Sequence, residues 1–167
     1  AEASGASVVS VHYARLPEST PRAIIAQCHD VLRWIVRMAG PLRIDPTQIA
    51  VAGDSAGAFL ATHVAMRARD EKGPALACQI LCYGVYDLDA DREAYARARD
   101  PGLPRPVIDA MIATWRDGER ADGVATPAPL HARLSDLPPA ILLGAEHDPM
   151  CPEGVEYGRL LRAAGGA

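Results

Sequence analysis

Five residues carry the strongest chemical signal in the sequence: Gly53-Asp54-Ser55-Ala56-Gly57. A serine hydroxyl is a poor nucleophile until it is presented clear of its surroundings and a base takes its proton. Small neighbours permit that presentation: Gly53 and Gly57 let a strand and a helix pass closely, and Ala56 adds little bulk. Upstream, Ile49-Ala50-Val51-Ala52 reads as a short, fully buried strand. Downstream, Ala58, Phe59, Leu60, Ala61, Val64 and Ala65 recur at helical spacing. A strand, a sharp turn and a helix with serine at the apex form a nucleophile elbow. Ser55 then projects over the end of a sheet, and the helix aims its free N–H groups and positive dipole end at the same point. The Ala56 N–H is expected as one oxyanion donor.

The elements that must position these residues follow from pattern. Val8-Val9-Ser10-Val11 predicts a strand reaching Tyr13, and the two prolines of 15–21 mark a loop. Ile24, Ile25, Cys28, Val31, Leu32, Ile35 and Val36 predict a long amphipathic helix over 22–39, ended by Gly40-Pro41. The elbow helix runs to about Asp70. Ala75 to Tyr83 predicts a buried strand, and Ala140-Ile141-Leu142-Leu143 another. Between them, Asp87 to Pro101 is polar with helical spacing, Pro106 to Trp115 predicts an amphipathic helix, and 117–132 reads as loop. A helix over 152–164 follows the last strand. Short apolar strands alternating with helices argue for an α/β fold: a mostly parallel sheet with helices on both faces. The stretch 87–132 breaks the alternation and is expected as an excursion near the site.

Bulk properties narrow the function. The chain has 167 residues and a formal net charge of −4, which gives no footing for nucleic acid or an anionic membrane surface. No apolar run approaches the ~20 residues that span a bilayer, and no signal peptide is expected. Cys28, Cys78, Cys82 and Cys151 form no C-x-x-C pair, so they are expected as buried small hydrophobes in a reducing cytoplasm, with no metal and no cofactor.

Three stretches in order resemble the α/β-hydrolase fold, specifically the bacterial hormone-sensitive-lipase-like esterases. Val8-Val9-Ser10-Val11-His12-Tyr13 with Arg15-Leu16-Pro17-Glu18 is similar to a strand and loop of that family, although here Ala14 precedes Arg15. Ile44-Asp45-Pro46 and Ile49 to Gly57 are similar to the stretch leading into its Gly-Asp-Ser-Ala-Gly elbow. Leu137-Pro138-Pro139-Ala140, Gly144, Asp148-Pro149-Met150, Glu153-Gly154 and Tyr157 are similar to the strand and loop that carry its catalytic acid. The resemblance implies a carboxylic-ester hydrolase acting through an acyl-enzyme, with Ser55 as nucleophile, Asp148 as acid and a small-molecule ester, of short acyl chain, as substrate. Asp148 would orient a histidine and stabilise its charged form; the Asp148-Pro149 pair also reads as a turn or helix cap.

The resemblance is incomplete. None of the residues after Asp148 is histidine, and His12, His29, His63, His131 and His147 are each expected in structural or surface roles. No glycine-rich oxyanion loop precedes Ser55. The chain is therefore expected to be an internal fragment, a single partial α/β-hydrolase domain over 1–167, very weak or inactive alone. The strand over 8–13 is expected to lose a central neighbour. It must then pair with the elbow strand, leave a slot, or find another chain, so homo-oligomerisation stays open. Two alternatives remain: a non-catalytic binding protein of the same fold, or another acyl hydrolase such as a lipase or peptidase. Tyr86, Met111 and Trp115 are candidate pocket walls.

Overall fold

The structure is a computed structural model that describes residues 5–98 and 101–165. Helix α1 spans Pro21–Arg37, where Thr20 accepts from the Ala23 N–H at 3.3 Å and Pro21 opens the first turn. One short turn, α2, covers Ala39–Leu42. Gly40 and Pro41 thus lie inside a helical turn, and Arg43, at φ 54°, ends it. Strand β1 (Ala50–Asp54) leads into α3 (Ala56–Asp70), and β2 (Cys78–Cys82) follows. Next come α4 (Glu93–Ala96) and α5 (Arg105–Asp122), then a 3-10 turn at Pro129–His131. Strand β3 (Ala140–Leu143) and helix α6 (Cys151–Ala163) complete the described fold.

The three strands are parallel in the order β1-β2-β3, with Asp54, Cys82 and Leu143 aligned at their C-terminal ends. The expected elements over Ile49–Ala52 and Ala140–Leu143 stand where their patterns put them. The excursion differs from its expectation: α5 continues to Asp122 rather than ending near Trp115. Gly118 lies within the stretch read as loop. It is a close-approach residue inside the helix, where a Cβ would lie 2.8 Å from Pro21 Cδ and 2.9 Å from Leu16 Cδ2. Ile108 and Ile112 of α5 join Ile24, Ile25, Phe59 and Leu60 in one buried cluster, so the excursion is anchored on α1 and α3. Of the expected polar helix before Pro101, only α4 forms; Arg99 and Asp100 lie outside the described residues, as do Ala1 to Ser4.

The expected strand over 8–13 is absent. Val8 and Val9 are 74% and 46% exposed and pair with no strand. Strand propensity alone does not make a strand; its N–H and C=O groups need a neighbour, and the outer edge of β1 stays unpaired as well. Of the three outcomes weighed for this segment, pairing with the elbow strand does not occur among the described residues.

Helices cover one face of the sheet. Val51, Leu81 and Leu142 point towards α3 and α6 and join the second core cluster. The opposite face, carrying Ala52, Ile80, Ile141 and Leu143, is open, with Ile141 and Leu143 54% and 52% exposed. Coverage on both faces is thus met on one face among the described residues. Strand β1 is correspondingly half-open rather than fully buried. Cys78 and Cys82 share the open face, and all four cysteines are unpaired and half-buried, not buried as expected. No described helix is long and apolar enough to cross a membrane.

Candidate active site

Ser55 is the junction between β1 and α3, with φ 51° and ψ −121°. A serine at positive φ is strained by about 1–3 kcal/mol, and the surroundings must hold it there. Two contacts do so. The Ser55 N–H donates to the Cys82 carbonyl at 2.9 Å, extending the β1–β2 ladder one residue past the strand. Gly53 lets the helix fold back on the strand: a Cβ there would stand 2.2 Å from the Gly57 carbonyl oxygen and 2.7 Å from the Ala58 nitrogen. A Cβ on Gly57, in contrast, would meet nothing within 4 Å. The close approach therefore demands glycine at 53 only, and the expectation that both glycines serve it is corrected at Gly57. Asp54 is exposed on the open sheet face.

The Ser55 side chain makes no capping hydrogen bond to α3, which leaves its half-buried hydroxyl uncommitted to the helix. Ala56 is the first helical residue, where a backbone N–H has no partner inside its own helix. Hydroxyl and N–H donor thus share one turn.

Asp148 lies in the loop between β3 and α6 and is half-buried. Its Oδ1 accepts from the Met150 N–H at 2.8 Å, and its carbonyl accepts from the Cys151 N–H at 3.0 Å. The turn-and-cap reading of Asp148-Pro149 is therefore real, and it fixes the carboxylate with one oxygen to spare. Ser55 and Asp148 both follow the C-terminal ends of parallel strands, two strand spacings (about 10 Å) apart across the sheet.

The histidines stand elsewhere. His29 is buried in α1, with Nδ1 3.8 Å from Glu71 Oε2. His63 is buried in α3 against the Phe59 ring, at a centroid distance of 4.4 Å, and burial pushes its pKa down to about 4. His131 is an exposed neighbour of Asp87, 3.3 Å away, and His12 and His147 are exposed. Among the described residues none is hydrogen-bonded to Ser55 or Asp148. Trp115 packs edge-on against Phe59 at 4.9 Å and donates to Glu119, a core role. Met111 is half-buried on α5. Tyr86 stacks on Tyr157 at 4.5 Å and forms one wall of a cavity of about 230 Å³ bounded by Tyr83, Leu143 and Cys151.

One group of residues carried no functional expectation. Glu153, 1% exposed in the first turn of α6, accepts from the Tyr86 N–H at 2.7 Å, from the Asp87 N–H and from the Tyr95 hydroxyl. Burial pushes its carboxyl up to about 7 against the opposing pull of those three donors. Beside it, Arg92 bridges Asp87 and Glu156, at 2.8 Å each. Burial disfavours charge on Asp87, yet the Arg92 and Leu88 hydrogen bonds outweigh it and hold the carboxyl below its ordinary range. In sequence, Glu153 belongs to the stretch that resembles the family's acid loop, but it carried no role there; its partners lie 58 to 67 residues away.

A parallel sheet ending in a strained serine elbow, with a carboxylate on the same edge, defines a hydrolase-type scaffold. The whole chain, residues 1–167, matches the family described as alpha/beta hydrolase fold, and the chain belongs to that family, in its hormone-sensitive-lipase-like branch. Carboxylesterase NlhH of Mycobacterium tuberculosis is 42% identical over 165 residues, which covers 96% of this chain and 52% of that protein. Esterase LipI of the same species is 38% identical over 168 residues, covering 96% and 51%. Among solved structures, a hyperthermophilic esterase from the archaeon Pyrobaculum calidifontis superposes with a TM-score of 0.86 at 32% identity, over 98% of this chain and 55% of that one. The chain spans about half the length of the curated relatives it matches.

Proposed function

We propose that this chain supplies the nucleophile and the acid of a carboxylic-ester hydrolase that works through an acyl-enzyme. The observation that carries the reading is the backbone of Ser55: a non-glycine residue held at φ 51° on a strand-to-helix turn, its hydroxyl left out of helix capping. Ser55 Oγ attacks the acyl carbonyl, its proton passes to a base, and the alkoxide leaves after accepting a proton from that base. Water then attacks the acyl-Ser55 ester by the reverse proton route. The Ala56 N–H donates to the tetrahedral oxyanion. Asp148, oriented by Met150, holds the base in one tautomer. No described histidine is placed as that base, so the reading assigns this chain the nucleophile and acid only. Residues 1–167 act as part of one hydrolase domain with 87–132 beside its site, and the four unpaired cysteines support a reducing, cytoplasmic setting.

The test is covalent labelling by a fluorophosphonate probe, mapped by peptide mass spectrometry, together with p-nitrophenyl acetate hydrolysis. Labelling is expected at Ser55 and lost in Ser55→Ala. Where hydrolysis is measurable, Ser55→Ala is expected to lower it by about three orders of magnitude or more. Hydrolysis unchanged in Ser55→Ala overturns the reading. A second reading, a non-catalytic binding protein of the same fold, draws on the placement of the five histidines; a folded chain that never labels at Ser55 would favour it.

A further inference from the structure

We infer that Glu153 is a positioning residue for the reaction proposed above: its buried carboxylate ties the Asp148 loop to the backbone of Tyr86 and Asp87, and so sets the acid in register with the Ser55 elbow. The inference rests on that reading for its catalytic meaning and on the following contacts for its geometry.

On one side, Glu153 belongs to the first turn of α6, directly after the loop that presents Asp148. Its own N–H donates to the Met150 carbonyl at 3.2 Å, and the Met150 N–H donates to Asp148 Oδ1. Displacing Glu153 therefore pulls on the one hydrogen bond that aims the Asp148 carboxylate. On the other side, the Tyr86–Asp87 backbone sits two residues past Gly84, where β2 has just ended. Gly84 packs so tightly on the elbow helix that a Cβ there would lie 2.7 Å from Ala58 Cβ, and Ala58 donates its own N–H to the Ser55 carbonyl at 3.0 Å. The contacts run without a gap from Ser55 through Ala58, Gly84, Tyr86–Asp87 and Glu153 to Met150 and Asp148.

A carboxylate is well suited to the task. Two backbone N–H groups converge on Oε2 and the Tyr95 hydroxyl occupies Oε1, so the side chain is held at both oxygens. Arg92, Asp87 and Glu156 form the charged rim around it, and Tyr86 and Tyr157 stack beneath. Burying a carboxylate is costly, and a helix packed at this place by apolar contacts alone would avoid that cost. A fixed, directional link between two distant loops is what those contacts could not provide.

Amide hydrogen exchange reads the link directly. The reporters are Met150, whose N–H holds Asp148, the Tyr86 and Asp87 amides, and the amides of β2 as a measure of global opening. In Glu153→Ala, exchange at Met150 and at Tyr86–Asp87 is expected to rise about tenfold with β2 unchanged. Glu153→Gln keeps an acceptor for both N–H groups and an amide facing Tyr95, so it should stay within about threefold of wild type. Should Glu153→Ala fail to fold, Tyr95→Phe removes one of the three donors and should raise Met150 exchange about threefold. Unchanged Met150 protection in a folded variant, or a rise only in step with β2, overturns the inference. Ester hydrolysis separates it from the functional reading. Where Ser55→Ala abolishes turnover, Glu153→Ala should lower kcat about tenfold to a hundredfold, with KM within about threefold of wild type, and Glu153→Gln should restore it. Unchanged kcat in Glu153→Ala then overturns the positioning role alone. Hydrolysis indifferent to Ser55→Ala overturns the functional reading, whatever Met150 shows.

Discussion

The Ser55 elbow and the Asp148 loop, the acid loop of the proposed reaction, follow the C-terminal ends of β1 and β3 but are held by different physics. At the elbow, geometry is imposed by steric closeness: Gly53 admits the backbone of Gly57, and Ser55 is bent into positive φ between a strand and a helix that have no room to part. At the acid loop, geometry is imposed by directional hydrogen bonds: Met150 to Asp148, and Tyr86, Asp87 and Tyr95 to Glu153. The first kind of site is rigid and indifferent to pH. The second is tethered through a buried carboxylate, and its hold depends on where that group titrates. A nucleophile tolerates little freedom, because attack needs one approach; an acid that steadies a base can be held by a strap.

The sharpest way to break the contrast is Gly53→Ala. The added Cβ would meet backbone atoms of Gly57 and Ala58, which cannot swing aside as a side chain would. A loss of about 3 kcal/mol is expected from such overpacking, read by urea unfolding, together with loss of Ser55 labelling. A loss below about 1 kcal/mol would mean that strand and helix are free to separate, and the elbow would be no more rigid than the acid loop.

The acid side should reveal itself in pH. The Glu153 carboxyl is raised from its ordinary value to about 7 in the folded chain. The native state thus holds a proton that the unfolded chain has released, and stability falls as pH rises from the ordinary carboxyl range through 7. His63 acts with the opposite sign. Its pKa is lowered to about 4, so stability is full above about 6.5 and is lost as pH falls towards 4. Glu153→Gln should therefore gain on wild type as pH rises to 7, by about 3 kcal/mol, and then hold that margin. His63→Leu should remove the acid-side loss and leave the Glu153 slope in place. Thermal unfolding from pH 4 to 8 checks both. A Glu153→Gln margin that does not vary with pH would show that folding leaves the Glu153 carboxyl at its ordinary value.

That difference in physics also explains what the sequence revealed. The elbow was legible because its determinants lie within six residues, Gly53 to Ala58, and steric demands leave small residues as a local trace. Strand β3 was legible from its apolar run alone. The clamp at Glu153 was not: the resemblance marks the residue but not its role, because its partners are 58 to 67 residues away. The strand over 8–13 failed for a related reason. Its apolar residues satisfy strand propensity, but pairing depends on a neighbour that no local pattern records, and among the described residues it finds none. The end of α5 was missed because sequence does not record that Gly118 admits Pro21 and Leu16 inside the helix. Gly57 erred the other way: the motif suggests two equivalent glycines, and the structure needs only one.

Two small effects measure the strain itself. Gly57→Ala places a methyl in open space at the start of α3, so it should leave stability unchanged or raise it by up to about 1 kcal/mol, as alanine favours helix over glycine. Beside the Gly53→Ala loss, that asymmetry would separate the glycine required by contact from the glycine that merely completes the motif. Ser55→Gly should stabilise by about 1 kcal/mol, since glycine adopts φ 51° without the clash that a Cβ brings. Ser55→Ala keeps the Cβ and should keep the strain, so the gain belongs to the difference between the two variants and not to loss of the hydroxyl. If both variants unfold at the same urea concentration, the elbow is relaxed. The energy holding Ser55 in place would then have to be sought in the Cys82 hydrogen bond rather than in the squeeze between β1 and α3.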